Sequence, residues 1–174
     1  MVRTATVVAL AACSTLALAQ DRRPDYGTDV NTAQAKKIAA GVIAECQKNS
    51  WNVAVAVVDN HGGLVYFERM ENTQYASMDI AVGKARAAAT YQRPTRAFMD
   101  VINKGGPATA TLPGVFADTI NKGGPATATF GGGLTASPGG MPIMVDGRVT
   151  GGVGVSGVTG DQDEQCAKAG LGMK

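Results

Sequence analysis

The residue pattern predicts an α+β domain in which an antiparallel sheet, built from two hairpins, is flanked by helices. Three observations carry this expectation: β-branched segments on both sides of Asp59-Asn60-His61-Gly62-Gly63, a second such pair around Asp146-Gly147, and helical periodicity before, between and after them. Two hairpins separated in the chain do not make a parallel sheet, which needs a crossover between every pair of strands. The expected order is helix, two strands, two helices, two strands, helix.

The chain has 174 residues, and residues 1–19 read as a signal peptide. Arg3 supplies the positive start, Thr4 to Leu18 are mostly small and apolar, and Ala17-Leu18-Ala19 is a small-x-small cleavage pattern before Gln20. A lipoprotein is the rival, because Leu10-Ala11-Ala12-Cys13 also resembles an acylation site, but the apolar run continues past Cys13. No later stretch is apolar and uncharged for long enough to cross a bilayer, so no membrane span is expected and the mature protein is placed in the periplasm or outside the cell. What remains has the size of one domain. Residues 20–30 are polar without an apolar period and read as a flexible arm.

Within the domain, residues 31–174, Ala35, Ile38, Ala39, Val42, Ile43 and Cys46 recur at helical spacing. Asn31 stands as N-cap, with Gln34 in the capping-box position. Val53 to Val58 and Leu64 to Met70 form the first hairpin. Ser77 is expected to cap a second, Ala-rich helix through Tyr91, and Pro94 to stop it. Thr95 is expected to cap a short third helix through Ile102. Met141–Val145 and Arg148–Val155 flank Asp146-Gly147, a pair that favours the type I′ turn, and a last helix is expected from Asp161 to about Leu171. Between them, Asp100–Ala117 is repeated as Asp118–Thr135 with 12 of 18 positions identical. Two Gly/Pro-rich copies cannot stack into a solenoid, so 100–135 reads as a duplicated surface loop.

Composition excludes several functions. The 16 basic and 14 acidic residues form no long run of one sign, which argues against nucleic acid as a partner. His61 is the only histidine. It lies in a Gly-flanked turn with no nucleophile motif nearby, and Ser156 lacks the glycine two positions on that a nucleophile elbow requires, so acyl transfer through a triad is not supported. One His and two distant Cys are not a zinc ligand set. Gly152 to Gly157 matches G-x-G-x-x-G but lies inside a strand. It reads instead as a place where another backbone, or a flat ligand, comes close. Cys46 and Cys166 are an even pair in a compartment that permits disulfides. Two cysteines are not a framework, however, and two buried free thiols, each packing as a small hydrophobe, are the simpler expectation.

Among residues suited to a site, His61 is a possible iron ligand through imidazole nitrogen, and Met70, Tyr66 and Tyr91 can ligate or line a haem. Arg69, Lys84 and Arg86 can pair with carboxylates. Asp161, Asp163 and Glu164 suit a hard cation or, more simply, complement a helix N-terminus.

Taken together, these blocks resemble a known family. Val57-Val58-Asp59, Gly62-Gly63-Leu64-Val65 and Glu68-Arg69-Met70 resemble the first hairpin of the GlcG/HbpS-like haem-binding family, also described as a haem-degrading or PduO C-terminal-like domain. Ser77 to Ala81, Gly83-Lys84-Ala85-Arg86 and Arg93-Pro94-Thr95 resemble its central helix and the segment after that helix. Pro138 to Ile143, Asp146-Gly147, Gly154 to Gly157 and Asp161 to Gln165 complete the likeness. The resemblance implies a profilin/PAS-like α+β fold, a homo-oligomer, and haem or another tetrapyrrole as ligand. The cofactor-binding residues expected are His61, Arg69, Met70, Lys84, Arg86, Tyr91 and Thr95, with His61 on the metal. A binding protein is implied rather than a reaction; any reaction would be haem degradation. The alternative is a sensory or accessory module that binds a small organic acid or a partner protein without haem. This chain departs from the family pattern in having no histidine in the first helix and in its duplicated loop.

Overall fold

A computed structural model describes residues 23–103, 129–130 and 134–173. In chain order it contains α1 (Thr32–Lys48), β1 (Ala54–Val58), β2 (Leu64–Arg69), α2 (Ala76–Tyr91), α3 (Arg96–Asn103), β3 (Thr129–Phe130), β4 (Leu134–Thr135), β5 (Gly140–Val145), β6 (Arg148–Ser156) and α4 (Gly160–Gly170). The signal peptide expected at 1–19 and most of the duplicated segment 100–135 lie outside the described residues. Four strands form an antiparallel sheet in the order β2-β1-β6-β5, and β3 and β4 pair separately. The fold is therefore the expected α+β arrangement. Among the described residues no helix is long and apolar enough to cross a membrane.

The alternation in β1 decides how the sheet is covered, because successive side chains point to opposite faces. Val53, Val55 and Val57 meet Ala35, Ala39 and Val42 of α1 and Ala167 of α4. Ala54, Ala56 and Val58 face the other way, onto Ala81, Ala85 and Ala89 of α2. On that second face the helix lies close to the sheet. A Cβ on Gly152 would stand 2.3 Å from the carbonyl oxygen of Ala85, and one on Gly154 would stand 2.1 Å from that of Ala81. The G-x-G pattern of β6 thus admits another backbone, that of α2.

One ion pair ties α2 to α4. The Lys84 ammonium donates to Asp163 Oδ2 at 2.8 Å and to the carbonyl of Val155 at 2.9 Å, with both side chains buried. Asp163 Oδ1 also accepts from the backbone N–H of Val158. Burial pushes the carboxyl of Asp163 up and the ammonium of Lys84 down, and each partner's charge opposes that shift. Nearby, Arg96 pairs with Asp161 and Glu164, so α3 is held to the same end of α4.

Local signals explain most element ends. The Asn31–Gln34 capping box is present. Asp146 and Gly147 both have positive φ, 49° and 73°, as the type I′ turn requires. Three expected caps differ. Ser77 lies inside α2, which starts at Ala76 without a side-chain cap. Thr95 precedes α3, but its hydroxyl donates to the Ser137 carbonyl and accepts from the Gly140 N–H, protecting the start of edge strand β5. Thr159 caps α4, with Gln162 completing the box, two residues before the expected start at Asp161.

Two further expectations are corrected. Residues 20–30 read as a flexible arm from their composition, yet the arm is pinned from Pro24 onward. Gly27 and Val30 donate to the carbonyls of Val149 and Thr150, Val149 donates to Asp25, and Gln92 reaches the Pro24 carbonyl. It fills the lane beside β6 that β1, ending at Val58, leaves open. Cys46 and Cys166 are not free thiols. They form a disulfide between α1 and α4, with Cα atoms 5.7 Å apart and a sequence separation of 120.

These contacts generate three expected outcomes. Excising residues 104–121 joins Asn103 to Lys122, restores a single repeat and keeps every described residue, so Tm is expected to change by less than about 4 °C. A disulfide closing so long a loop stabilises by roughly 4–5 kcal/mol, so reduction during thermal unfolding should lower Tm by more than about 10 °C. Lys84→Met leaves Asp163 buried and unpaired and should cost about 3–5 kcal/mol in urea unfolding, whereas adding Asp163→Leu should recover most of the loss.

Candidate ligand-binding groove

The sheet face that carries α1 and α4 is less closely packed at one end, and a groove of about 470 Å³ opens there. Its construction begins where the two helices cross. A Cβ on Gly41 would lie 3.0 Å from Gly170 Cα, and one on Gly170 would lie 2.8 Å from the carbonyl oxygen of Ile38. Glycine at both positions lets the helices touch, and the Cys46–Cys166 bridge secures the same pair. Beside this crossing Ile38 and Leu171 supply apolar walls, and Lys37 is the charged residue of the lining.

Strand β5 forms the opposite wall. It is an edge strand, and its register against β6 breaks between Ile143 and Met144, so Thr150 has no direct partner. The extra residue of this bulge is on β6, so β5 keeps its alternation and Ile143 and Val145 share a face. Ile143, Met144 and Val145 all border the groove. Ile143 is buried, and Met144 and Val145 are each 44% exposed. The Thr150 hydroxyl donates to the Ile143 carbonyl at 3.3 Å, which steadies the bulge. Past Gln34, Val145 and Thr150, which both spaces share, a polar cleft of about 500 Å³ continues toward Asp29, Asp146 and Arg148.

None of the residues singled out from the sequence lines this groove. His61 is exposed at the tip of the β1–β2 turn, where its N–H bonds Asp59. Arg86 lies beside it and donates to the Gly62 carbonyl at 3.0 Å. Arg69 and Met70 sit at the far end of β2, a strand that spans roughly 17 Å. One ligand therefore does not meet His61 and Met70 in the same plane. Arg69 stacks on Tyr75, and Met70 packs on the core.

The remaining candidates are engaged in the fold. Lys84 is buried on Asp163, and Thr95 is bonded to Ser137 and Gly140. Tyr91 packs edge-on against Phe98, with ring centres 5.2 Å apart. Tyr66 donates to Glu68, which raises its pKa and disfavours a phenolate ligand. Asp163 holds Lys84, and Asp161 and Glu164 hold Arg96. Among the described residues no cluster of three or more His, Cys, Asp and Glu side chains is arranged to hold a metal ion.

The groove residues escape sequence reasoning because their signals are weak there. A bulge leaves no residue signature, and a surface Lys in an amphipathic helix resembles any other. The paired helix glycines, Gly41 and Gly170, are the legible hint, since glycine inside a helix costs up to about 1 kcal/mol and implies a close approach.

The arrangement can hold a flat or elongated apolar body, with a cation at its rim and polar groups beyond it. Comparison with known proteins places this geometry in context. Residues 30–172 match the family model described as haem degrading protein HbpS-like. Protein GlcG of Escherichia coli K12 is 37% identical over 126 residues, which is 70% of this chain and 80% of GlcG. A 15.0 kDa protein of the dhaT-dhaS intergenic region of Citrobacter freundii is 32% identical over 142 residues, 82% of this chain and 89% of that protein. Among solved structures, the PduOC:heme complex superposes with a TM-score of 0.67 at 23% identity, covering 83% of this chain and 94% of that one. A double mutant of Streptomyces reticuli HbpS superposes at 0.66 with 26% identity, covering 98% and 97%.

Proposed function

The chain belongs to the HbpS-like family, and on that premise we propose that it is an exported protein that binds haem or a related tetrapyrrole in the groove between α1, α4 and β5. The observation that carries this reading is the groove itself, whose volume of about 470 Å³ and apolar walls suit part of a flat macrocycle. The PduOC relative was solved as a complex with heme. Here the residues present fit such a group: Ile38 and Leu171 would pack on its faces, and Lys37 would meet a carboxylate. When bound, haem supplies an iron centre whose behaviour depends on its ligands and on solvent access. The chain's part is to bind, orient and partly shield it.

Export is supported by the disulfide, since a buried bridge between α1 and α4 suits an oxidising compartment. The mature N-terminus is expected at Gln20, as read by mass spectrometry of the exported protein; an acylated Cys13 would replace this with a lipoprotein. Self-association is proposed with it. The half-exposed Leu64 on the β2 edge and the exposed Tyr75 are apolar surface that a second copy would cover.

The binding test is a titration with hemin followed at the Soret band. Saturable binding is expected, and Val145→Glu, which places a charge on the shared wall of both spaces, should weaken it at least tenfold, about 1.4 kcal/mol. His61→Ala should leave spectrum and affinity unchanged. Loss of the band in His61→Ala alone would move the site to the β1–β2 turn. Absence of any band in the wild type would leave the groove to a small organic acid.

A further inference from the structure

We propose that two copies of this chain join along strand β2, edge to edge and antiparallel about a two-fold axis at Phe67, so that the four-stranded sheet of one copy continues into that of the other. This rests on the self-association proposed above and names the surface and register that would carry it. It does not depend on the ligand.

The two edges of the sheet differ in protection. β5 carries Pro142, which offers no N–H, and its first residue is occupied: Thr95 donates to the Gly140 carbonyl, and its hydroxyl accepts from the Gly140 N–H. β2 has no proline or lysine between Leu64 and Arg69, and among the described residues it pairs with β1 alone. Such an edge is a template for another strand. Met70 donates to the Val53 carbonyl, and backbone groups alternate in direction along a strand. Phe67 and Arg69 therefore turn their N–H and C=O groups outward, away from β1.

The residues of β2 complement their own reverse. Ala54, Ala56 and Val58 face α2, so their partners Arg69, Phe67 and Leu64 do too, and Val65 is the extra residue of a bulge. A two-fold axis at Phe67 sets that ring against the partner's Phe67, Tyr66 against the partner's Glu68, and Leu64 against the partner's Arg69. Aromatic pairs directly opposite stabilise a sheet, and like charges there destabilise it. Moving the axis one residue on would set Glu68 against the partner's Glu68.

Exposure points to the same register. Tyr75 and Leu64, at 76% and 51%, are the most exposed large apolar residues among those described. They lie near opposite ends of β2, Tyr75 beneath the Arg69 guanidinium, whose carbon is 5.0 Å from the ring centre. Within one chain they do not meet. Antiparallel pairing brings the partner's Leu64 onto the Arg69–Tyr75 stack, and the symmetry repeats that contact, covering both residues in both copies.

The full mature chain, without ligand, is followed by sedimentation velocity over a concentration series, with amide hydrogen exchange at both ends of the series. A concentration-dependent dimer is expected. The amides of Phe67 and Arg69 should be protected only in the dimer, and those of Tyr66 and Glu68 throughout, because the latter bond β1. Leu64 is exposed, so its substitutions leave the fold intact. Leu64→Lys faces the partner's Arg69 and should raise the dimer Kd roughly tenfold or more, whereas Leu64→Glu should hold or lower it. A dimer that both substitutions affect alike, or in which the Phe67 and Arg69 amides stay unprotected, shows that the copies meet elsewhere while self-association stands. A chain that is monomeric throughout overturns the self-association reading itself, and this pairing with it.

Discussion

The close approach of α2 to β6 is the constraint on which the rest of the structure depends. Gly152 and Gly154 remove the two side chains that would hold the helix away, and Ala81, Ala85 and Ala89 meet them with the smallest contacting groups a helix can offer. A methyl group at either glycine would collide with a helix carbonyl, so the spacing tolerates no intermediate residue. Because interiors are close-packed and do not deform smoothly, that contact also sets the position of everything else α2 carries.

Lys84 shows how the constraint propagates. With the helix so near the sheet, its stem has no path to water, and its ammonium instead reaches the Val155 carbonyl and Asp163. Asp163 is thereby fixed at the start of α4, and Arg96 draws α3 to the same helix through Asp161 and Glu164. A lone buried charge would be severely destabilising, whereas a pair with its remaining hydrogen bonds satisfied is tolerated and locates its partners. The cation expected to face a ligand carboxylate therefore faces the protein's own.

The two faces of the sheet consequently have different characters. The α2 face is glycine against alanine. The opposite face is covered by α1 and α4, which touch at Gly41 and Gly170 and are bridged by Cys46–Cys166, and α4 ends at Gly170. The groove lies where α4 ends, between the Gln34 to Gly41 stretch of α1 and strand β5. The bridge thus keeps two walls of a cavity at constant separation as well as stabilising the fold.

What the sequence determined by itself was everything that rests on local chemistry. The Asn31–Gln34 box started α1, Asp146-Gly147 turned the second hairpin, and the alternation Val53 to Val58 set a two-faced sheet, because each depends on neighbours within a few residues. Caps were less legible: Thr95 and Ser77 have the right chemistry, but Thr95 found Gly140, 45 residues away, and Ser77 fell inside the helix. The tertiary structure alone decided the fate of Lys84, the pairing of Cys46 with Cys166, and the separation of His61 from Met70 along β2. It alone placed Lys37 in one groove with strand β5. The physical reason is that a charge, a thiol or a thioether has no preferred partner in its own segment; its role is set by what the packing of distant elements leaves beside it.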